Sequence, residues 1–218
     1  MQIALDGPAG AGKSTVAKAI AKKLDIMYLD TGAMYRAVAL HMIDNGITVD
    51  QIEAVTNALN TIDLQVNYED GTQKMYLAGE DVSLRIRENA VSKAASDFSA
   101  LQPVRLFLVK MQQETAAKNN CILDGRDIGT FVLPGADFKF FLTATSAERA
   151  KRRANELEEK GQVVDVNKIQ AEIEQRDYND SHREFAPLKQ AEDAVLIDST
   201  NMTVDEVINF VVSVIEGK

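Results

Sequence analysis

Hydrophobic and polar positions follow more than one period along this chain. Ile3-Ala4-Leu5 is a short apolar run ending at Asp6-Gly7-Pro8, the pattern of a buried strand entering a tight turn. Over residues 14–24, Val16, Ala17, Ile20, Ala21 and Leu24 recur at helical spacing, with lysines on the other face. Residues 26–29 read as a second strand, stopped at Asp30-Thr31-Gly32, and helices follow over 34–43 and 50–59. Strands alternating with helices predict parallel strands joined by crossover helices, an α/β class.

The period then changes to two. Ile62, Leu64, Val66 and Tyr68 alternate with Asp63, Gln65 and Asn67; Glu69-Asp70-Gly71-Thr72 signals a turn; Met75-Tyr76-Leu77 can pair back. Residues 82–86 read as a further short strand, so a small antiparallel unit is inserted in the alternating chain. Helices resume from about Asn89 and from Pro103 toward Lys118. Strands are expected at 121–125, 138–142 and 194–197. Thr145 with Glu148, and Thr203 with Glu206, have the spacing of capping boxes opening two further helices. A polar helix is expected between them over 165–180.

Composition narrows the class. At 218 residues, 45% hydrophobic and 26% charged, the chain is sized for one globular domain, here residues 1–218, and no apolar stretch is long enough to span a bilayer. A net charge of −9 disfavours general nucleic-acid binding. The lone Cys121 excludes an internal disulfide, and two histidines far from it leave no zinc site to propose. Met1–Asp6 lacks a basic segment and a cleavage pattern, so the expectation is a cytoplasmic protein.

The chemistry is carried by Gly7-Pro8-Ala9-Gly10-Ala11-Gly12-Lys13-Ser14, a match to G-x-x-x-x-G-K-[ST] between a predicted strand and a predicted helix. Glycines let backbone N–H groups curl around an anion, and the helix N-terminus adds about half a positive charge. Lys13 can reach the β- and γ-phosphates and the Ser14 hydroxyl can ligate Mg²⁺, so this is a nucleoside-triphosphate site. A GTP-dependent switch is poorly supported: no Asp has Gly three residues later, and Asn167-Lys168 is followed by Ile169-Gln170.

Transferring a phosphoryl group to an anionic acceptor brings negative charges together, so arginines are needed to neutralise them. Six of the ten arginines lie between Arg126 and Arg183. Arg36 follows Asp30-Thr31-Gly32, and Arg126 follows the strand ending at Asp124-Gly125. Arg149, Arg152 and Arg153 can project from one side of a helix, and Arg176, Asp180 and Arg183 form a second stripe. Between these helices the charged, Gly-containing segment 156–166 reads as a mobile lid. Asp124, at a strand end, is placed for a Mg²⁺-bound water, and the Arg126-Asp127 pair for a ligand crevice. These residues define a small P-loop kinase of an anionic acceptor, with AMP, UMP and shikimate among the alternatives. A non-catalytic nucleotide sensor is the alternative from another class.

Gly7 to Ser14, Asp30-Thr31-Gly32-Ala33-Met34-Tyr35-Arg36, Asp124-Gly125-Arg126-Asp127-Ile128-Gly129-Thr130, Arg176-Asp177 with Asp180 and Arg183, and Asp198-Ser199-Thr200 together resemble the bacterial cytidylate kinase family over essentially the whole chain. The resemblance implies a P-loop NTPase-type three-layer fold with parallel strand order 2-3-1-4-5. An acceptor-binding antiparallel insertion at about 60–96 and a short lid at about 154–166 complete it. It implies ATP-dependent phosphorylation of CMP and dCMP with Mg²⁺, by a monomer without nucleic-acid or membrane partners. Carried over by position, ATP would lie on Gly7, Pro8, Ala9, Gly10, Ala11, Gly12, Lys13, Ser14 and Thr15, with Arg149. The acceptor phosphate would meet Arg36, Arg126 and Arg183. Thr31 would lie near the acceptor, where the family often has Ser. Ser96, Arg105 and Asp127 would read the base, and Arg176 with Asp180 would face the sugar or the transferring phosphate. Lys13, Arg126, Arg153 and Arg176 would be catalytic, and Ser14 with Asp124, through water, would serve the metal. The basic run that usually follows Arg105 is weaker here, reading Leu106-Phe107-Leu108-Val109-Lys110.

Overall fold

The first strand is buried on both faces, as its apolar run requires: Ile3, Ala4 and Leu5 are fully inaccessible in β1 (Gln2–Asp6). A computed structural model describes residues 1–69, 71–159 and 161–217. Asp70 of the expected hairpin turn and Lys160 of the expected lid lie outside the described residues.

β1 pairs in parallel with β6 (Cys121–Gly125) on one side and β7 (Phe138–Thr143) on the other. β2 (Met27–Asp30) lies beyond β6 and β8 (Val195–Asp198) beyond β7. The sheet order β2-β6-β1-β7-β8 becomes 2-3-1-4-5 when its five strands are numbered in chain order, as expected. Because β6 and β7 flank β1, the loops after these strands open at one end of the sheet, where parallel α/β sheets bind ligands.

The chain forms two compact units, one from Met1–Tyr28 with Asn120–Lys218 and one from Leu29–Asn119. In the first, α1 (Lys13–Leu24) buries Val16, Ala17, Ile20 and Ala21 against Ile3, Leu5, Ile122 and Phe140. The same core takes Val207 and Val211 of α8 (Val204–Glu216), whose start is fixed by the expected reciprocal cap between Thr203 and Glu206. Two further helices, α6 (Ser146–Glu158) and α7 (Val166–His182), pack through Ala150, Ala154, Ile169 and Ile173.

The second unit contains α2 (Thr31–Asp44), α3 (Ile52–Thr61), α4 (Asn89–Phe98) and α5 (Gln102–Ala116). Its antiparallel sheet has the order β3-β4-β5, from β3 (Leu64–Glu69), β4 (Thr72–Leu77) and β5 (Glu80–Asp81). The third strand is therefore earlier than the expected 82–86. Val82 and Ile86 are four apart and both buried beside a 3₁₀ turn at Arg85–Arg87, a helical rather than an extended spacing. Glu80 and Asp81 are exposed and pair with Leu77 and Tyr76, with the Asp81 carboxylate also meeting Lys74 of β4 at 3.1 Å, and no apolar alternation could announce such a strand.

α2 also begins earlier than expected. The Asp30 carboxylate accepts from the Ala33 backbone N–H at 2.8 Å, so the helix starts at Thr31. At Thr145 the expected box is half formed: the hydroxyl accepts from the Glu148 N–H at 3.3 Å, but the Glu148 carboxylate accepts from Arg152 one turn on.

Candidate active site

The glycine-rich turn is tightly seated. Gly7 has φ +151°, and a Cβ there would stand 1.9 Å from the Leu142 carbonyl oxygen of β7, so no side chain fits. Gly12, at φ +86°, turns the chain into α1. Lys13 lies on the first turn and its ammonium donates to the Pro8 carbonyl at 2.8 Å. Burial, then the charges of Arg126 and Arg176, hold the Lys13 ammonium well below the usual lysine pKa, with Asp124 and Asp6 opposing them. Ser14 and Thr15 are exposed on the same turn.

Two residues of the helical pair α6–α7 grip this turn. The Ala9 N–H donates to Asp177 at 3.1 Å. Arg149 donates through Nη1 to the Ala9 carbonyl at 2.8 Å and to Asp177 at 2.6 Å, and through Nε to the Ala144 carbonyl at 2.9 Å. Arg149 is thus buried and holds the loop by its backbone. Asp177, which the sequence reading assigned no role, completes the clasp.

Asp124, at the carboxyl side of β6, accepts from the Ser14 hydroxyl at 3.0 Å and from the Tyr28 hydroxyl at 2.9 Å. Both sequence-assigned metal residues are therefore in one hydrogen-bonded pair. Asp6 was not singled out by the sequence. It is 3% exposed and accepts from the backbone N–H of Ile128 at 2.8 Å and of Gly129 at 2.7 Å. Burial pushes its carboxyl up to about 6 against the lowering effect of these two donors.

Beyond β6 the chain forms a π-helical turn, Ile128–Val132, that no sequence period indicated. It places Arg126 and Asp127 beside the end of α7. Arg126 Nε donates to Asp180 at 2.8 Å, and Arg183 donates to Asp127 at 3.3 Å and to the Ala186 carbonyl at 2.7 Å. Arg183 also lies 3.9 Å from the Asp180 carboxylate. Burial raises the Asp180 carboxyl, but Arg126, Arg176 and Arg183 outweigh it and hold the group below the ordinary carboxylate value. Arg176 is exposed on α7, and its charge acts on both Lys13 and Asp180. The cluster joins Arg126, Asp127, Arg176, Asp180 and Arg183, five residues drawn from two distant sequence segments.

Arg149, Arg152 and Arg153 do not project from one side as expected. Arg152 donates to the Ser199 carbonyl at 2.6 Å and to the Ser199 hydroxyl at 3.2 Å, binding α6 to the segment after β8. Arg153 turns toward Glu156 at 2.9 Å with its side chain 45% exposed. The divergence follows from partners: Ala9, Ala144 and Asp177 hold Arg149, Glu148 and Ser199 hold Arg152, and Glu156 holds Arg153.

The second unit carries the remaining assigned residues. Arg36 pairs with the helix-capping Asp30 at 3.2 Å, and its Nε is buried without a hydrogen-bond partner. A Cβ at Gly32 would stand 3.0 Å from Arg36 Nη1, so this glycine makes room for the guanidinium. Gln73 of β4 holds Asp30 in place, accepting from its N–H at 2.8 Å and donating to its carbonyl at 3.2 Å. Thr31 is buried at the first turn of α2. Arg105 is 1% exposed, donates to the Ser99 carbonyl at 3.2 Å and lies 5.5 Å from the Tyr35 ring centroid. Ser96 is half-buried on α4, and its carbonyl accepts from the Ser99 hydroxyl at 2.8 Å.

Similarity to known proteins agrees with this geometry. Among solved structures, shikimate kinase from Bacteroides thetaiotaomicron superposes with TM-score 0.50 and 14% identity, covering 99% of this chain and 98% of its own. A gluconokinase from Sinorhizobium meliloti superposes with TM-score 0.50 and 12% identity, covering 95% of this chain and 87% of its own. At these identities the likeness speaks for a kinase-type α/β fold alone. Sequence relatives are much nearer. The cytidylate kinase of Caldicellulosiruptor saccharolyticus is 52% identical over 208 residues, 95% of this chain and 92% of its own. That of Lactobacillus johnsonii is 49% identical over 218 residues, 100% of this chain and 95% of its own. The family model described as cytidylate kinase matches residues 3–217. With the glycine turn, the Ser14–Asp124 pair and the acid–arginine cluster in their places along that match, this chain belongs to the cytidylate kinase family.

Proposed function

We propose that the protein transfers the γ-phosphoryl group of ATP to CMP and dCMP, giving CDP and dCDP. The observation that carries this reading is the set of cationic groups around Lys13. A buried ammonium beside Arg126 and Arg176 suits a site where two sets of phosphates meet.

ATP is assigned to Gly7, Pro8, Ala9, Gly10, Ala11, Gly12, Lys13, Ser14 and Thr15, with Arg149 acting on the loop that cradles the phosphates. Lys13, Arg126, Arg153 and Arg176 are assigned to neutralising charge as the phosphoryl group moves. Arg153 reaches this role only by leaving Glu156, a surface pair of modest strength. The segment between α6 and α7 is assigned to a lid that excludes water.

Mg²⁺ fits the residues present. Ser14 and Asp124 bring two hard oxygen donors together at the phosphate cradle, which matches an ion that takes few protein ligands and completes its shell with water and phosphate. Bound there, the ion would shield the phosphate charges. Ser14 would contact it directly and Asp124 through water.

CMP is assigned, from the first unit, to Arg126, Asp127, Arg176, Asp180 and Arg183, and from the second, to Thr31, Arg36, Ser96 and Arg105. Cytosine presents an N4 amino donor beside the N3 and O2 acceptors. A carboxylate and a hydroxyl can accept from N4 while an arginine donates to N3 or O2. Uracil reverses the polarity at position 4, so Asp127 would reject it.

The test is product analysis with purified protein, ATP, Mg²⁺ and CMP. CDP and ADP are expected in equal amounts, and Lys13→Ala is expected to slow their formation by about three orders of magnitude. ATP binding with no CDP formed would instead favour a nucleotide sensor.

A further inference from the structure

Asp6 sits where two functional loops begin. It ends β1 immediately before Gly7, and β6 ends beside it, with Asp6 in register with Gly125. Arg126 and Asp127 follow, and the chain then enters its π-helical turn. The first N–H groups of any helical turn have no partner within it. Here the Phe131 and Val132 N–H groups return to the Asp127 carbonyl at 2.9 and 3.1 Å, leaving the amides of Ile128 and Gly129 to find acceptors elsewhere. Each oxygen of Asp6 takes one of them, Oδ1 at 2.8 Å and Oδ2 at 2.7 Å. The bonded residues are 122 and 123 positions away in sequence.

The turn is pinned from its other sides too. A Cβ at Gly129 would stand 3.2 Å from Lys139 Cδ and 3.4 Å from Asp6 Oδ2, so the backbone there is held between two side chains. Phe131 meets Phe185 edge to face at 4.9 Å, just beyond Arg183. The Asp127 carboxylate thus projects from a backbone whose next two amides are fixed by one buried anion. That carboxylate accepts from Arg183 at 3.3 Å.

From this geometry, and resting on the assignment of Asp127 to the cytosine ring, we infer that Asp6 is a positioning residue for base selection. It orients Asp127 through the Ile128 and Gly129 amides. Asp6 touches neither nucleotide in this role. It gives the glycine turn and the base-reading segment a common anchor, because the same residue begins one and caps the other.

Asp6→Asn keeps the shape but replaces one acceptor with an amide that faces an N–H group. Selectivity is read as the ratio of kcat/KM for CMP to that for UMP, alongside KM for ATP. The expected result is a fall in the ratio of about tenfold, with KM for ATP changed by less than about threefold. Gly129→Ala, which leaves the carboxylate's chemistry intact but sets a methyl group 3.2 Å from Lys139 Cδ and 3.4 Å from Asp6 Oδ2, should lower the ratio in the same direction. An unchanged ratio in a folded Asp6→Asn protein overturns the inference, as does an equal rise in KM for CMP and ATP. Should Asp6→Asn lack a cooperative thermal transition, an unchanged ratio in Gly129→Ala overturns it instead. Wild-type protein that makes no CDP would defeat the functional assignment itself, a result visible before any variant is compared.

Discussion

The Ser14 hydroxyl donates to the Asp124 carboxylate at 3.0 Å, bridging the first turn of α1 and the carboxyl side of β6. These residues are 110 positions apart, and only the adjacency of β1 and β6 brings them together. The Tyr28 hydroxyl steadies the second carboxylate oxygen at 2.9 Å. Under the proposed function, the pair would supply oxygen donors to a divalent cation carried in with ATP.

Asp124→Asn should therefore raise the Mg²⁺ concentration needed for half-maximal rate and lower turnover by roughly tenfold to a hundredfold. Its fold should persist, because Asn can still accept from Ser14 or Tyr28. Initial rates across a Mg²⁺ titration check this.

Asp177 and Arg149 hold the glycine turn through the Ala9 N–H and carbonyl. Asp177→Ala removes the acceptor for Ala9 and leaves a buried guanidinium short of its carboxylate. The expected effect is a rise of about tenfold in KM for ATP, with KM for CMP changed far less. Steady-state kinetics with each substrate varied in turn would show it.

Asp6 carries a pH signature. Burial raises its carboxyl to about 6, above its value in the unfolded chain, so the folded protein binds a proton that the unfolded chain releases between pH 4 and 6. Its contribution to stability is fully present at low pH and is lost as pH rises through about 6, a change on the order of 3 kcal/mol. The difference in unfolding free energy between wild type and Asp6→Asn should therefore shrink or reverse as pH is raised from 4 to 7. Chemical denaturation of both proteins across that range measures it.

Much of this was legible in the chain because it is local. The glycine turn is contiguous, its strand and helix flank it, and the five core strands are short apolar runs with turn signals. The reciprocal cap at Thr203 and Glu206 spans three residues and formed as its spacing implies. What escaped the sequence depends on distant partners or on backbone alone. Asp6 reads as a turn residue until its partners at Ile128 and Gly129 are known. Gln73, in a polar strand, gains meaning only through the Asp30 backbone. β5 was missed because it consists of two exposed acids with no apolar alternation, whereas the apolar Val82 and Ile86 invited a strand they do not form. The arginines of α6 share a face by spacing, yet Ala9, Ser199 and Glu156 draw them apart.

The account stands most directly on acceptor choice. A mixture of CMP, UMP, AMP, GMP and dTMP at equal concentration, given limiting ATP and resolved by chromatography, measures it in one reaction. CDP should form well ahead of UDP, GDP and dTDP, with ADP matching it one for one as the product of ATP and with AMP left unconsumed. A predominance of ADP formed at the expense of AMP, or of UDP over CDP, would contradict it.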